Sequence, residues 1–191
     1  MINVLFIGPQ GSGKGTQAKR LAAARGIPHI ATGDIFRAAI AEQSELGRQV
    51  RPYLDTGSLV PDELTVGLIG ERLQQPDTAG GFVLDGFPRN MAQARALDEM
   101  LARIGRPLTV VFEFALADEL ALERCLGRAI EEGRLDDTAA VIVKRLTIYR
   151  EQTEPIVEHY RGAGILAVIR AERSIDEVNA DLARALEQAA P

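Results

Sequence analysis

Two hydrophobic textures alternate along the chain. Short unbroken apolar runs of strand length stand at positions 2–7, 82–84, 109–114 and 165–169, with 29–31 a weaker fifth. Between them lie stretches in which apolar residues recur every three or four positions, the spacing of one helix face. Those stretches cover 14–24, 34–47, 62–75, 90–104, 118–129, 137–161 and 174–188. A run without polar interruption predicts a strand covered on both faces, and such strands are joined by helical crossovers into a parallel sheet. The expectation is one α/β domain: a doubly wound, five-stranded parallel sheet flanked by helices, with the first strand central.

Local signals refine this outline. Several predicted helices open on Asp or Ser, and Ser174 with Glu177 three residues on forms a capping box. Pro155 falls inside the 137–161 stretch and is expected to kink or split it. Two segments, 47–61 and 127–137, fit the alternation poorly and are expected as flaps on the main sheet. The chain shows no internal repeat, low-complexity tract or linker.

Composition sets the outer bounds. With 191 residues, 46% hydrophobic and 26% charged, the chain has the mix of a globular domain large enough to bury a core unaided. No apolar run approaches the roughly 18 residues of a membrane span. The opening MINVLFIGPQ has no basic residue ahead of its apolar stretch, so no signal peptide is expected and the cytoplasm is the expected location. Cys125 is the only cysteine, which rules out an internal disulfide and a multi-cysteine zinc site; a space-filling role on a helix is expected. The 22 basic residues against 27 acidic ones lack the global positive field of a nucleic-acid binder. Only Lys14, Lys19 and Lys144 among the basic residues are lysines, so each arginine has to be argued from its position.

The strongest chemical signal is GPQGSGKGT at 8–16, between a predicted buried strand and a predicted helix. That context confirms a phosphate loop. Glycines such as Gly11, Gly13 and Gly15 let the backbone curl its N–H groups toward an anion, the helix N-terminus adds positive potential, and Lys14 reaches the outer phosphates. Gly15 stands where the general motif has Ser or Thr, and Thr16 follows it. Asp85 ends an apolar run, which places a carboxylate at the ligand-binding edge of the sheet near that loop.

Together with this loop, GPQGSGKGTQA, five further motifs follow in order: ATGDIFR at 31–37, TGSLVPDEL at 56–64, GFVLDGFPRNMAQA at 81–94, RCLGRAIEEGRLDD at 124–137 and VKRLTIYREQTEPIVEHY at 143–160. Nearly end to end, the sequence resembles the adenylate kinase family in its short-lid form. The resemblance implies a P-loop NTPase core over residues 1–191, with an AMP-binding insertion at about 32–61 and a short lid at about 127–137. It implies a monomeric enzyme running ATP + AMP ⇌ 2 ADP with Mg2+, without structural zinc and without nucleic-acid or membrane partners. Only five residues separate Arg128 from Arg134, which leaves no room for the β-rich zinc-binding lid of long-form relatives.

The family's functional positions carry over residue by residue. ATP contacts fall on Gly11, Ser12, Gly13, Lys14, Gly15, Thr16, Arg124, Arg128 and Arg173, and Mg2+ on Asp85 through water. AMP contacts fall on Thr32, Arg37, Ser58, Leu59, Val60, Gly86, Arg89, Gln93, Arg134 and Arg145. Lys14, Asp85, Arg89, Arg124, Arg134 and Arg145 form the catalytic set. Guanidinium forks grip phosphate bidentately and stay charged, which suits a transfer that needs two polyanions held in line. Gln93 offers the paired donor and acceptor that match an adenine edge. Asp136 and Asp137 are expected to cap the next helix and pair with arginines. Arg48, Arg51, Arg103 and Arg106 and the hydroxyls of Tyr149 and Tyr160 are expected at the surface, and the histidines His29 and His159 at the surface or at an edge.

Two other functions remain in view. UMP/CMP kinases carry Ala-Gly-Glu where this chain has Thr32-Gly33-Asp34 and asparagine in place of Gln93, although Asn90 follows their pattern. A non-catalytic nucleotide-binding module is the other; a guanine switch is disfavoured because no lysine stands in an NKxD context.

Overall fold

The computed structural model describes residues 1–133 and 137–189. β1 (Ile2–Ile7) is the middle strand of a five-stranded sheet, flanked by β3 (Gly81–Asp85) and β4 (Val110–Ala115), with β2 (His29–Ala31) and β5 (Leu166–Arg170) at the edges. All four pairings are parallel, and the register sets Phe6 beside Asp85 and Phe112.

Alternate residues of the unbroken runs feed two cores. Val4, Phe6, Phe112 and Phe114 meet α1 (Lys14–Arg25), α6 (Asp118–Glu132), α7 (Ala139–Ile148) and α9 (Ile175–Ala189) on one face. Leu5, Ile7, Leu84 and Val111 meet α4 (Asp62–Leu73), α5 (Met91–Arg103) and α8 (Pro155–Gly162) on the other. The Phe6 ring stands 5.6 Å from Phe112, edge-on, and 4.8 Å from Phe114. Each such ring contributes about 1.5–3 kcal/mol by burial.

The stretch expected as one helix over 34–47 is broken in two. α2 (Thr32–Ala41) stops short of Gln43, whose φ of 54° lies in the left-handed region, and α3 (Glu45–Thr56) starts after it. Ser44 caps α3, its hydroxyl accepting from the Gly47 N–H at 3.1 Å. Most of the supposedly irregular 47–61 is therefore helical, although Pro52 removes one internal hydrogen bond. A small third core stabilises it, in which Val50, Leu46, Tyr53 and Leu54 pack on Phe36 and Val60. Residues 127–132 likewise continue α6 as helix. The 137–161 stretch is split as expected: a π turn at Tyr149–Thr153 separates α7 from α8, whose first residue is Pro155.

Several surface expectations fail because tertiary partners reach these residues. Arg106 lies 5.4 Å over the Phe82 ring and donates to Leu73 O and to the hydroxyl and carbonyl of Thr78. Tyr160 is buried, its hydroxyl donating to Asp98 at 3.1 Å, and His159 Nε2 lies 2.7 Å from the same carboxylate. Tyr149 is buried too, which with nearby Glu113 raises its pKa strongly. The capping box of Ser174 and Glu177 forms as read, whereas Asp62 and Asp118 are first helical residues rather than caps.

Candidate active site

β1 delivers the chain to the cleft, and residues 8–13 turn back before α1 begins at Lys14. Gly11 and Gly13 take φ of 78° and 83°, where L side chains are strained. Space also forbids a side chain at Gly11, because a Cβ would lie 2.6 Å from Ala121 O and 3.1 Å from Cys125 Sγ. The loop thus leans on α6, with buried Cys125 as part of the wall. The Lys14 ammonium folds onto the loop, donating to Gly8 O at 2.6 Å, Pro9 O at 2.7 Å and Ser12 Oγ at 3.3 Å. Burial lowers its pKa to about 8; Asp85 pulls the other way, while Arg89 and Arg128 add to the fall. A polyphosphate on the loop supplies the counter-charge that restores it.

Across from the loop, Asp85 ends β3 with its side chain 14% exposed. Burial opposes its charge, but His29, Lys14 and Arg89 outweigh that and hold the carboxyl below its ordinary pKa. His29 stands on the edge strand β2, as one of its two expected placements has it, but its ring turns inward: Nε2 is buried without a hydrogen-bond partner among the described residues, 3.6 Å from Asp85 Oδ2. The next residue, Gly86, takes φ of 79°, and its carbonyl accepts from Thr32 Oγ1 at 2.9 Å and Arg89 Nε at 2.8 Å. Both predicted monophosphate ligands are thereby tied to one turn.

Loop and turn open on a cavity of about 470 Å³ that Arg37, Arg89, Arg124, Arg128 and Arg145 all line, with Gly11, Gly13, Gly15 and Thr16. Arg37 pairs with Asp34 at 2.6 Å, and Arg124 donates to Ala171 O at 2.7 Å. Burial and the neighbouring Arg145 and Arg37 lower the pKa of Arg89, the signature of cations crowded where an anion belongs. The fully buried Asp137 carboxylate holds Arg128 at 2.5 Å and Arg145 at 2.6 Å side by side. Its pairing is as expected, but the cap of α7 is Thr138. Arg134 and Asp136 lie outside the described residues. Arg173 does not join the cluster: it pairs with Asp181 at 2.5 Å and Glu177 at 3.1 Å, beside a second recess of about 460 Å³ that Ser12, Gly13, Thr16 and Arg124 also line.

Ser58, Leu59, Val60 and Gln93 also line the large cavity. Gln93 is 1% exposed, its Oε1 accepting from the Arg89 N–H at 2.8 Å and its Nε2 donating to Asp62 at 2.7 Å. Asn90 caps α5, its Oδ1 accepting from the Gln93 N–H at 2.9 Å. Sequence reasoning missed His29, Asp62, Gln10 and Lys144. Gln10 donates to Ile142 O at 2.9 Å and Lys144 to Ser58 Oγ at 2.8 Å, contacts that no periodicity announces.

Cations predominate around a cavity lined by a glycine loop at a helix N-terminus and by Ser58, Leu59, Val60 and Gln93. Fold and site together define a P-loop phosphotransferase of the nucleoside monophosphate kinase class. Residues 6–165 match the family described as adenylate kinase. Proteins named adenylate kinase from Stenotrophomonas maltophilia (strain K279a) and Mycobacterium tuberculosis are each 48% identical over 185 residues, covering 97% of this chain and 99% of theirs. One from Cyanothece sp. is 47% identical over 188 residues, 98% of this chain and 96% of its own. The chain belongs to the adenylate kinase family.

Proposed function

We propose that the protein transfers the terminal phosphoryl group of ATP to AMP, reversibly, giving two ADP. The observation that carries this reading is the convergence of Lys14 and five arginines on one cavity that Gln93 also lines. A phosphate oxygen of AMP forms the new bond to the γ-phosphorus as the bond to the β,γ-bridging oxygen breaks, and ADP leaves with that electron pair. The chain's contribution is alignment and charge neutralisation. Lys14 and the loop N–H groups hold the outer phosphates of ATP, with Gly11, Ser12, Gly13, Gly15 and Thr16 shaping the cradle. Arg124 and Arg128 clamp ATP, and Arg173 borders its nucleoside recess. Arg37 and Arg89 hold the AMP phosphate, Arg145 and Arg134 the group in flight. Thr32, Gly86, Ser58, Leu59, Val60 and Gln93 surround the adenosine of AMP.

Magnesium fits the oxygen donor that the cavity offers. Asp85 presents one ionised carboxylate to the cavity. Among the described residues no group of three or more His, Cys, Asp or Glu lies together as a metal cage. That suits a hard cation that keeps its waters and is carried by nucleotide phosphates. Asp85 would hold the hydrated ion there, and the chemistry it would supply is neutralisation of phosphate charge. Asp85, with Thr16 at the loop, orients its water shell.

The same reading takes 32–61 and 127–137 as an AMP-side flap and a short lid that close over the nucleotides and exclude water. It takes the working form as a cytoplasmic monomer without nucleic-acid or membrane partners; among the described residues no helix is long and apolar enough to cross a membrane. The deciding experiment is steady-state transfer from Mg-ATP to AMP, UMP, CMP and GMP in parallel, with an EDTA control. A preference for AMP that vanishes on chelation is expected. Faster transfer to UMP or CMP overturns the base assignment, and none to any acceptor overturns the reaction.

A further inference from the structure

Behind the wall of the monophosphate recess, two amides and a carboxylate form a closed ring. Asp62 Oδ1 accepts from Gln93 Nε2 at 2.7 Å and from Asn90 Nδ2 at 2.9 Å. Asn90 Oδ1 accepts from the Gln93 N–H at 2.9 Å, and the Arg89 N–H donates to Gln93 Oε1 at 2.8 Å. We propose that Asp62 is a positioning residue for base selection, fixing the end of the Gln93 amide that faces each side and so favouring a 6-amino over a 6-oxo purine monophosphate. The inference rests on the reading of Gln93 as the base contact.

Both anchors of the amide are one-way. An ionised carboxylate only accepts and a backbone N–H only donates. Turning the amide over sets its oxygen against the Asp62 carboxylate and its NH2 against the Arg89 N–H, so two hydrogen bonds become two repulsions. The order of nitrogen and oxygen is therefore set before any nucleotide arrives. An amide has two N–H donors and two acceptor lone pairs, and the anchors use one of each. What is left, one N–H and one lone pair, matches the N1 acceptor and 6-amino donor of adenine. Hypoxanthine shows N1–H and a 6-oxo acceptor, the same two sites in reverse. A locked amide rejects it; a free amide turns to suit either.

Asp62 is also the first residue of α4, where any carboxylate interacts favourably with the helix N-terminus. The test has to separate that role from positioning. The measurement is kcat/KM for AMP and IMP in the wild type, D62L, D62N, Q93L and the D62L/Q93L double variant. D62L is expected to lower the AMP-to-IMP ratio by about tenfold, within the range one bidentate base contact provides. The loss appears mainly in KM for the monophosphate, while KM for ATP stays in place. D62N keeps an accepting oxygen and loses less, but measurably. In the Q93L background, D62L changes the ratio no further, which a merely structural aspartate does not predict. The proposal is overturned if D62L lowers both substrates equally, or if its effect on the ratio survives in Q93L. If D62L does not fold, a folded D62N with the wild-type ratio overturns it instead. If Q93L keeps the wild-type ratio, the base reading of Gln93 fails and the inference falls with it.

Discussion

Lys14 sits where an ammonium is hard to keep charged, and that strain is useful. Its pKa of about 8 in the nucleotide-free protein means the neutral amine dominates above that pH. Polyphosphate favours the cation, so binding takes up a proton in this range. Because kcat/KM reports the free enzyme, its value for ATP is expected to fall tenfold per pH unit above about pH 8, while the basic limb of kcat lies higher. A flat kcat/KM profile to about pH 9.5 refutes this. Stability runs the opposite way: between the folded value and the higher unfolded one the unfolded chain binds more protons, so the destabilisation that this buried cation causes near neutral pH is relieved as pH rises. Lys14→Met removes a buried charge. It is expected to cost several orders of magnitude in turnover while melting at or above the wild-type temperature near neutral pH; a large drop in melting temperature contradicts the site assignment. Asp137 is the reverse case, a buried carboxylate shared by two guanidinium groups. Asp137→Ala removes the carboxylate that both guanidinium groups share and is expected to cost about 3 kcal/mol, roughly 6 °C or more in Tm. Calorimetry showing less than about 1 kcal/mol removes the pair from the structural frame.

At the scale of elements, site and frame share surfaces. The phosphate loop has no room between itself and α6, so Gly11→Ala is expected to displace the loop and abolish ATP binding, which titration with a fluorescent ATP analogue checks. The AMP side depends on a similar approach, where a Cβ on Gly47 falls on the Ala39 carbonyl. Gly47→Ala is expected to push α3 off α2 and raise KM for AMP severalfold more than KM for ATP; equal effects argue that α3 does not shape the monophosphate end. These contacts also show where the sequence ran out. β1, β3 and β4 were legible because burial on both faces writes an unbroken apolar run, the partly exposed edge strands β2 and β5 showed as short apolar runs, and the phosphate loop because its glycines and lysine must stand at fixed spacing. α3 was not, since Gly47 and Pro52 punctuate it locally while the packing of Val50 and Leu54 on Phe36 is visible only in three dimensions. His29 reaches Asp85 through the pairing of β2 with β3, and Asp62 reaches Gln93 from another helix. Neither residue belongs to a periodic pattern that could announce it.

Over the whole molecule, α7 joins the two ends of the cavity. On one side Gln10 of the phosphate loop donates to Ile142 O at 2.9 Å; on the other, Arg145 donates to Leu54 O at 3.0 Å and Lys144 to Ser58 at 2.8 Å. The same helix thus touches the triphosphate cradle and the segment after α3, and it carries an arginine into the space between them. For the AMP-side flap to swing away, the two contacts at Leu54 and Ser58 have to break while the sheet and its two cores stay intact. The Lys144 contact is exposed and worth only about 0.5–1 kcal/mol. Lys144→Ala is therefore expected to speed amide exchange across residues 45–60 by about two- to fivefold in the nucleotide-free protein. The strands of the central sheet are expected to keep their protection. With a dinucleoside polyphosphate bridging both ends, the cavity arginines take over the closure and the difference from wild type disappears. Exchange that quickens across the sheet as well assigns Lys144 to global stability, and exchange unchanged at 45–60 shows that α7 does not tether the flap.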